Sequence, residues 1–201
     1  MDYSELQLLV QDTLQRSDVA PAVPSWIQLA EARFNRELRV QQMVVRAYAN
    51  LNESFIELPE DWLEALNVEL YTEPPRPLEF ITLQEADKVR ARGERVARYY
   101  VIHGKELEVV PYVAEPTDIE MTYYKKVPSL TTEEPSNWLL ASWPDLYLYE
   151  TLRHSAPFLE HDNRMGMWDA AVARMMEEIR LADAKAQHSG SPLRIRARPF
   201  N

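Results

Sequence analysis

The sequence predicts an α+β protein: a helical bundle with an inserted antiparallel β-sheet region and an extended C-terminal tail. Three observations carry this expectation. Apolar residues recur at spacings of three and four over 2–38 and again over 137–186, alternate with polar ones through the middle of the chain, and alternate with arginines after residue 192. Helices, then strands, then helices reads as one globular domain overall. Its parts are N-terminal helices over 1–42, a β-rich insertion with a short helix over 43–127, C-terminal helices over 128–188 and a tail over 189–201.

In the first segment Tyr3, Leu6, Val10 and Leu14 mark one helix over 2–16, with Asp2 and Glu5 spaced as an N-terminal capping pair. Ser17 to Pro24 breaks the pattern, and Ile27, Ala30, Phe34 and Leu38 start it again, predicting a second helix over 25–38. Val45, Ala47 and Ala49 then alternate with Val44, Arg46 and Tyr48. After the turn at Asn52-Glu53-Ser54, Phe55 to Leu58 reads as a returning strand that Pro59 stops. Trp62-Leu63 reads as one turn of helix, and Leu66, Val68 and Leu70 as a strand. Pro74-Pro75-Arg76-Pro77 reads as an extended connection without regular structure.

Thr82-Leu83-Gln84-Glu85 is a full capping box, and Gly93 is a natural helix stop, so a short helix lies between them. Strands over 98–102, 106–110 and 119–124 form a meander, the first two joined by a hairpin at His103-Gly104. Asn137 to Leu140 makes a short turn. Trp143-Pro144 starts a helix with Leu146, Tyr149 and Leu152 on its apolar face, and Ala156-Pro157 ends it. The longest helix starts at about Asp162, with Met165, Trp168, Val172, Met175, Ile179, Ala182 and Ala186 on one stripe. Ser189-Gly190-Ser191-Pro192 breaks it.

At 46% hydrophobic and 27% charged the composition is that of an ordinary soluble domain. A core of this size needs no staples, and with no Cys there is no disulfide, thiol nucleophile or cysteine-based metal site. Met1-Asp2-Tyr3-Ser4-Glu5 lacks the basic start and apolar run of a signal peptide, and no stretch reaches the roughly 18 apolar residues of a membrane span. The net charge of −10 opposes a surface that coats nucleic acid. It is unevenly placed: residues 1–187 hold 19 Lys and Arg against all 32 acids, a net −13, while 188–201 hold three Arg and no acid.

No named catalytic or metal motif is present. No His belongs to a named metal motif; the nearest to a ligand set is Glu150 with His154 at i,i+4 on a helix and His161-Asp162 beyond, a pattern that a helix pair and a loop cap explain more simply. Four Gly cannot build a phosphate cradle, and neither G-x-G-x-x-G nor G-x-S-x-G occurs. Glu133-Glu134 and Glu177-Glu178 read as solvated faces. The basic stretch Lys88, Arg90, Arg92, Arg95 and Arg98 is offset by Glu85, Asp87 and Glu94, and reads as a solvated helix end. Trp138, Trp143, Tyr147, Tyr149 and Trp168 read as packing. No catalytic, cofactor-binding or metal-ligating residue is assigned.

The second helix, Trp26-Ile27-Gln28-Leu29-Ala30-Glu31-Ala32-Arg33-Phe34-Asn35-Arg36-Glu37-Leu38, is joined by Leu58-Pro59-Glu60-Asp61-Trp62-Leu63 and Met121-Thr122-Tyr123-Tyr124-Lys125-Lys126. With Asn137-Trp138-Leu139-Leu140, Trp143 through Tyr149 and Ala156-Pro157-Phe158-Leu159, this order of segments resembles the head-to-tail adaptor (connector, or head-completion) proteins of tailed bacteriophages over 23–185. The resemblance implies a non-enzymatic structural protein without cofactors, in the virion neck and assembled in the host cytoplasm. Copies would form a ring under the dodecameric portal protein, extend the DNA channel used in ejection, pass the genome without specific binding, and offer a platform to a tail or nozzle protein below. It also implies that residues 191–201 dock on the portal, with Leu193, Arg194, Ile195, Arg196, Arg198, Pro199 and Phe200 in contact.

The residues support such a role independently. A segment alternating Leu193 and Ile195 with arginines can add main-chain hydrogen bonds, fill apolar pockets and pair acids at once. It is too short for a core of its own and is expected to order only on its partner. A nucleic-acid-binding packaging or regulatory factor would need a basic face, and a carboxylate-dependent hydrolase would need two acids converging in a cleft.

Overall fold

A computed structural model of the chain describes residues 1–113, 115–159 and 164–188. The described residues fall into two compact units: a helical unit of Met1–Gln42 with the described residues from Val127 onward, and a sheet unit, Met43–Lys126.

In the helical unit, α1 (Tyr3–Leu14) starts on a capping box in which the Glu5 N–H donates to the Asp2 carboxylate at 2.8 Å and the Asp2 N–H to the Glu5 carboxylate at 2.9 Å. Leu6, Val10 and Leu14 form its buried stripe. Helix α2 (Val23–Glu37) begins two residues before the expected Ser25, because Pro24 sits in its first turn, where its missing N–H has no partner to lose. The C-terminal elements are α4 (Trp138–Ser142), α5 (Pro144–Ser155) and the 24-residue α6 (Met165–His188). Helix α5 packs against α1, α2 and α6. Only the middle of the expected α6 stripe is core: Trp168, Val172, Met175 and Ile179 are buried, whereas Met165, Ala182 and Ala186 are exposed.

The sheet unit contains β1 (Val44–Leu51), β2 (Phe55–Glu57), β3 (Trp62–Leu70), β4 (Arg76–Pro77), β5 (Glu79–Phe80), α3 (Leu83–Ala91), β6 (Tyr99–His103), β7 (Glu106–Val110) and β8 (Thr117–Lys125). They form two sheets, ordered β1-β8-β3-β4 and β2-β7-β6-β5. Their inner faces share one core that includes Leu51, Val68, Leu70, Leu107, Val109 and Ile119. Ala86 and Val89 of α3 pack on Val101 and Val110.

Four expectations for this region need correction, the first three because the deciding partner lies far away in sequence and the last because a short edge strand forms against the neighbouring β3. Phe55 to Leu58 does not return along β1; β2 pairs with β7 in the other sheet. The meander is broken, since β6 and β7 form the hairpin but β8 crosses to lie between β1 and β3. Trp62-Leu63 opens β3 instead of making a helical turn: the turn comes earlier, closed by Trp62 N–H to Pro59 C=O at 3.0 Å, and Trp62 already pairs with Lys125. The proline run does contain a two-residue strand, Arg76–Pro77, which proline tolerates at the sheet edge.

Trp168 is 1% exposed. Trp168→Ala should therefore cost about 3–5 kcal/mol, measured as a lowered urea midpoint or Tm; an unchanged midpoint would show that the α6 stripe carries no core.

Candidate functional site

The tail residues expected to touch a partner, Leu193, Arg194, Ile195, Arg196, Arg198, Pro199 and Phe200, lie outside the described residues, as do His161 and Asp162. What the structure does describe is the polar framework of the helical unit and of the sheet unit, each built around buried carboxylates.

Glu150 points from α5 into the bundle with its side chain fully buried. Its Oε2 accepts from Arg33 Nη1 of α2 at 2.7 Å and its Oε1 from Arg153 Nη1 at 3.0 Å. Both cations reach onward, Arg33 to Glu37 at 2.7 Å and Arg153 to Asp169 of α6. His154 Nε2 lies 3.0 Å from Glu150 Oε1, off the line of a hydrogen bond. Glu150 is thus the centre of an ion-pair framework in which both carboxylate oxygens are held by arginine, with His154 beside it. Among the described residues no group of three or more His, Asp or Glu could hold a metal ion.

A second buried acid, Glu31 of α2, receives the chain where it re-enters the helical unit. Its Oε1 accepts from Leu130 N–H at 2.8 Å and, at the outer limit of 3.5 Å, from the Tyr147 hydroxyl. Asn137 caps α4 through Leu140 N–H at 2.8 Å while donating to Pro128 C=O and to the Tyr147 hydroxyl, each at 2.7 Å. One residue along from this network, Asn35 accepts from Val127 N–H at 2.8 Å. Burial pushes the Glu31 carboxyl above its ordinary range, opposed by the hydrogen bonds from Leu130, Ser129 and Tyr147. Tyr147 is raised as well, chiefly by burial.

In the sheet unit Glu108 of β7, 6% exposed, accepts from Arg90 of α3 and lies 2.8 Å from His103 Nε2. Arg90 also pairs with Asp87 at 2.7 Å. The basic stretch is therefore partly tied to the sheet, which modifies its reading as a solvated helix end. On the other sheet Tyr123 donates to Asp61 at 2.9 Å; burial first, and this bond second, push its hydroxyl up to about 12. An open cleft of about 690 Å³ is lined by Glu57, Glu60 and Glu106 together with Lys105 and Lys126. Its charges are mixed, and Lys126 Nζ is bonded to Glu60 C=O at 2.8 Å.

These sites join elements to one another. The family model for the SU10 adaptor protein matches residues 1–196, taking in both units. The chain belongs to this family of phage head-to-tail adaptors. A search of curated proteins found no match. The adaptor is accordingly a structural phage protein, in a family whose role implies association with other head and tail components. Among its described residues no helix is long and apolar enough to cross a membrane.

Neither Arg33 nor Glu31 belongs to a named motif. A signal was present: Glu31 follows Ile27 and Ala30, and Glu150 follows Leu146 and Tyr147, so each acid falls in phase with the apolar stripe of its helix. An acid on a core face needs a buried partner.

Because the folded Glu31 carboxyl is raised above its ordinary value of 4.5, the native state binds more protons than the unfolded state between 4.5 and the folded value. Its ionisation therefore opposes folding as pH rises through that window. Glu31→Gln keeps an acceptor for Leu130 N–H without the charge. Its stability relative to the unsubstituted protein should rise with pH across the window and level off above it, measured by urea unfolding of both proteins from pH 4.5 to neutrality. A difference independent of pH would show that the carboxyl is unperturbed.

Proposed function

We propose that the adaptor forms a ring of copies beneath the portal protein, extends the DNA channel, and offers its lower face to the next tail protein. The observation that carries this reading is the family match over residues 1–196, which includes most of the basic tail. Charge segregation supports it: an acidic body, net −13 over residues 1–187, would line a conduit without holding the passing genome, while the three tail arginines suit a partner bearing acids. The helical unit suits a mount, since α6 is tied through Asp169 and Arg153 to Glu150 and ends at His188, shortly before the tail.

In this reading residues 191–201 are the portal anchor, with Leu193, Ile195, Pro199 and Phe200 supplying apolar contact and Arg194, Arg196 and Arg198 meeting acids. The gain must exceed the entropy of ordering the segment. The finished assembly sits in the neck of the virion, and its formation needs no cofactor and no catalysis by the adaptor.

Deleting residues 191–201 should leave the unfolding transition unchanged and abolish co-sedimentation with the portal. Changing Arg194, Arg196 and Arg198 together to Ala should weaken docking most at low salt, where electrostatic attraction is least screened. Docking of the truncated protein as tight as that of the full chain would remove the tail from the anchor role.

A further inference from the structure

The two sheets of the sheet unit leave an open seam. β1 is an edge of the first sheet, paired only with β8, and β2 is an edge of the second, paired only with β7. A groove of about 300 Å³ runs between them, lined by Ala47 and Ala49 of β1, Ile56 and Leu58, with Ile119 and Met121 of β8 behind. Glu57 and Glu60 also line it, both exposed.

β1 is eight residues long and its pairing with β8 is regular, without a bulge. It carries neither Pro nor a bulge, and its one charged residue, Arg46, is already paired with Glu120, so little in the strand itself blocks further pairing. A segment that adds to it can form main-chain hydrogen bonds along the edge and place alternate side chains in the groove. The groove therefore selects an extended segment with modest apolar residues at every second position. The neighbouring face of such a strand would lie beside Glu57 of β2 and Tyr48 of β1, which is 61% exposed. Arg46, on that same face, is already paired with Glu120 at 3.4 Å. Basic residues are thus favoured at the intervening positions by charge with Glu57 and Glu60.

One segment of this chain has that pattern: Leu193-Arg194-Ile195-Arg196-Ala197-Arg198. We infer that residues 193–198 of a second copy add to β1 as a strand and cover the seam. Leu193, Ile195 and Ala197 fill the groove, and the three arginines are drawn to Glu57 and Glu60. This goes beyond portal docking, since it gives the tail a partner when no portal is present. A tail held in a neighbour's seam cannot dock at the same time, so the portal and the seam compete for it.

The test uses a fluorescent synthetic peptide of residues 189–201 titrated with the full-length adaptor in the absence of portal, read by anisotropy. A second peptide of the same composition, with 193–198 reordered to Leu-Ile-Ala-Arg-Arg-Arg, keeps the charge and loses the two-residue period. The native peptide should bind saturably, and the reordered one at least about tenfold more weakly, because only the native order sends all its apolar side chains to one face. Glu57→Lys with Glu60→Lys, both at exposed positions, should weaken the native peptide by at least about tenfold. Absence of binding, equal binding of the two peptides, or binding unchanged by the double substitution would each overturn the inference. None of these outcomes bears on portal docking, which is read separately with the tail-deleted protein.

Discussion

The Glu150 carboxylate is fully buried on α5, with Arg33 of α2 at 2.7 Å and Arg153 of its own helix at 3.0 Å. Apolar faces tolerate small slides and repacking, but a buried charge does not, because losing its partner costs roughly 3–5 kcal/mol. The contact between α2 and α5 is therefore confined to one register. Arg153 extends the same constraint to Asp169 of α6. The edge-to-face contact of Phe34 with Tyr147, at 5.0 Å between centroids, then packs against a pairing that electrostatics has already selected. Desolvating the charges offsets much of their attraction, so the pairing adds little net stability beyond what it forbids.

The other polar contacts of the helical unit extend this frame to the returning chain. Asn35 and Glu31, four residues apart on α2, hold the backbone N–H groups of Val127 and Leu130, while Asn137 and Tyr147 hold the segment before α4. The chain leaves the unit at Gln42 and returns at Val127, so the insertion between them builds a hydrophobic core of its own. Helix α6 contributes core residues up to Ile179, and beyond them Asp183 still ties it to the unit by accepting from Gln41 N–H at 2.7 Å. The division suits an assembly protein: one unit is fixed internally by charge, and the other presents sheet edges and exposed aromatics such as Tyr48 and Tyr71.

What was legible in the sequence is what local physics decides. The capping residues of α1 and α3 lie within three positions of their partners, and both boxes form as their spacing indicates. The α+β class follows from periodicity alone. Strand partnership does not: alternation shows that residues 55–58 and 119–124 are strands but not which edge each one joins. The Arg33–Glu150 pair spans 117 positions, and Arg90 and Glu108 meet only because α3 packs on the second sheet. The tail is a different case: its alternating chemistry is plain in the sequence, and residues 189–201 lie outside the described residues.

In the proposed assembly the helical unit is a fixed mount whose basic tail engages the portal within a ring of adaptors. Electron microscopy of the adaptor assembled with the portal of its own phage tests this most directly. The expected particle is a closed ring of copies with density for residues 191–201 lying against portal acids. A particle in which the adaptor binds as isolated copies, or in which the ring meets the portal through its sheet units with the tails elsewhere, would contradict it.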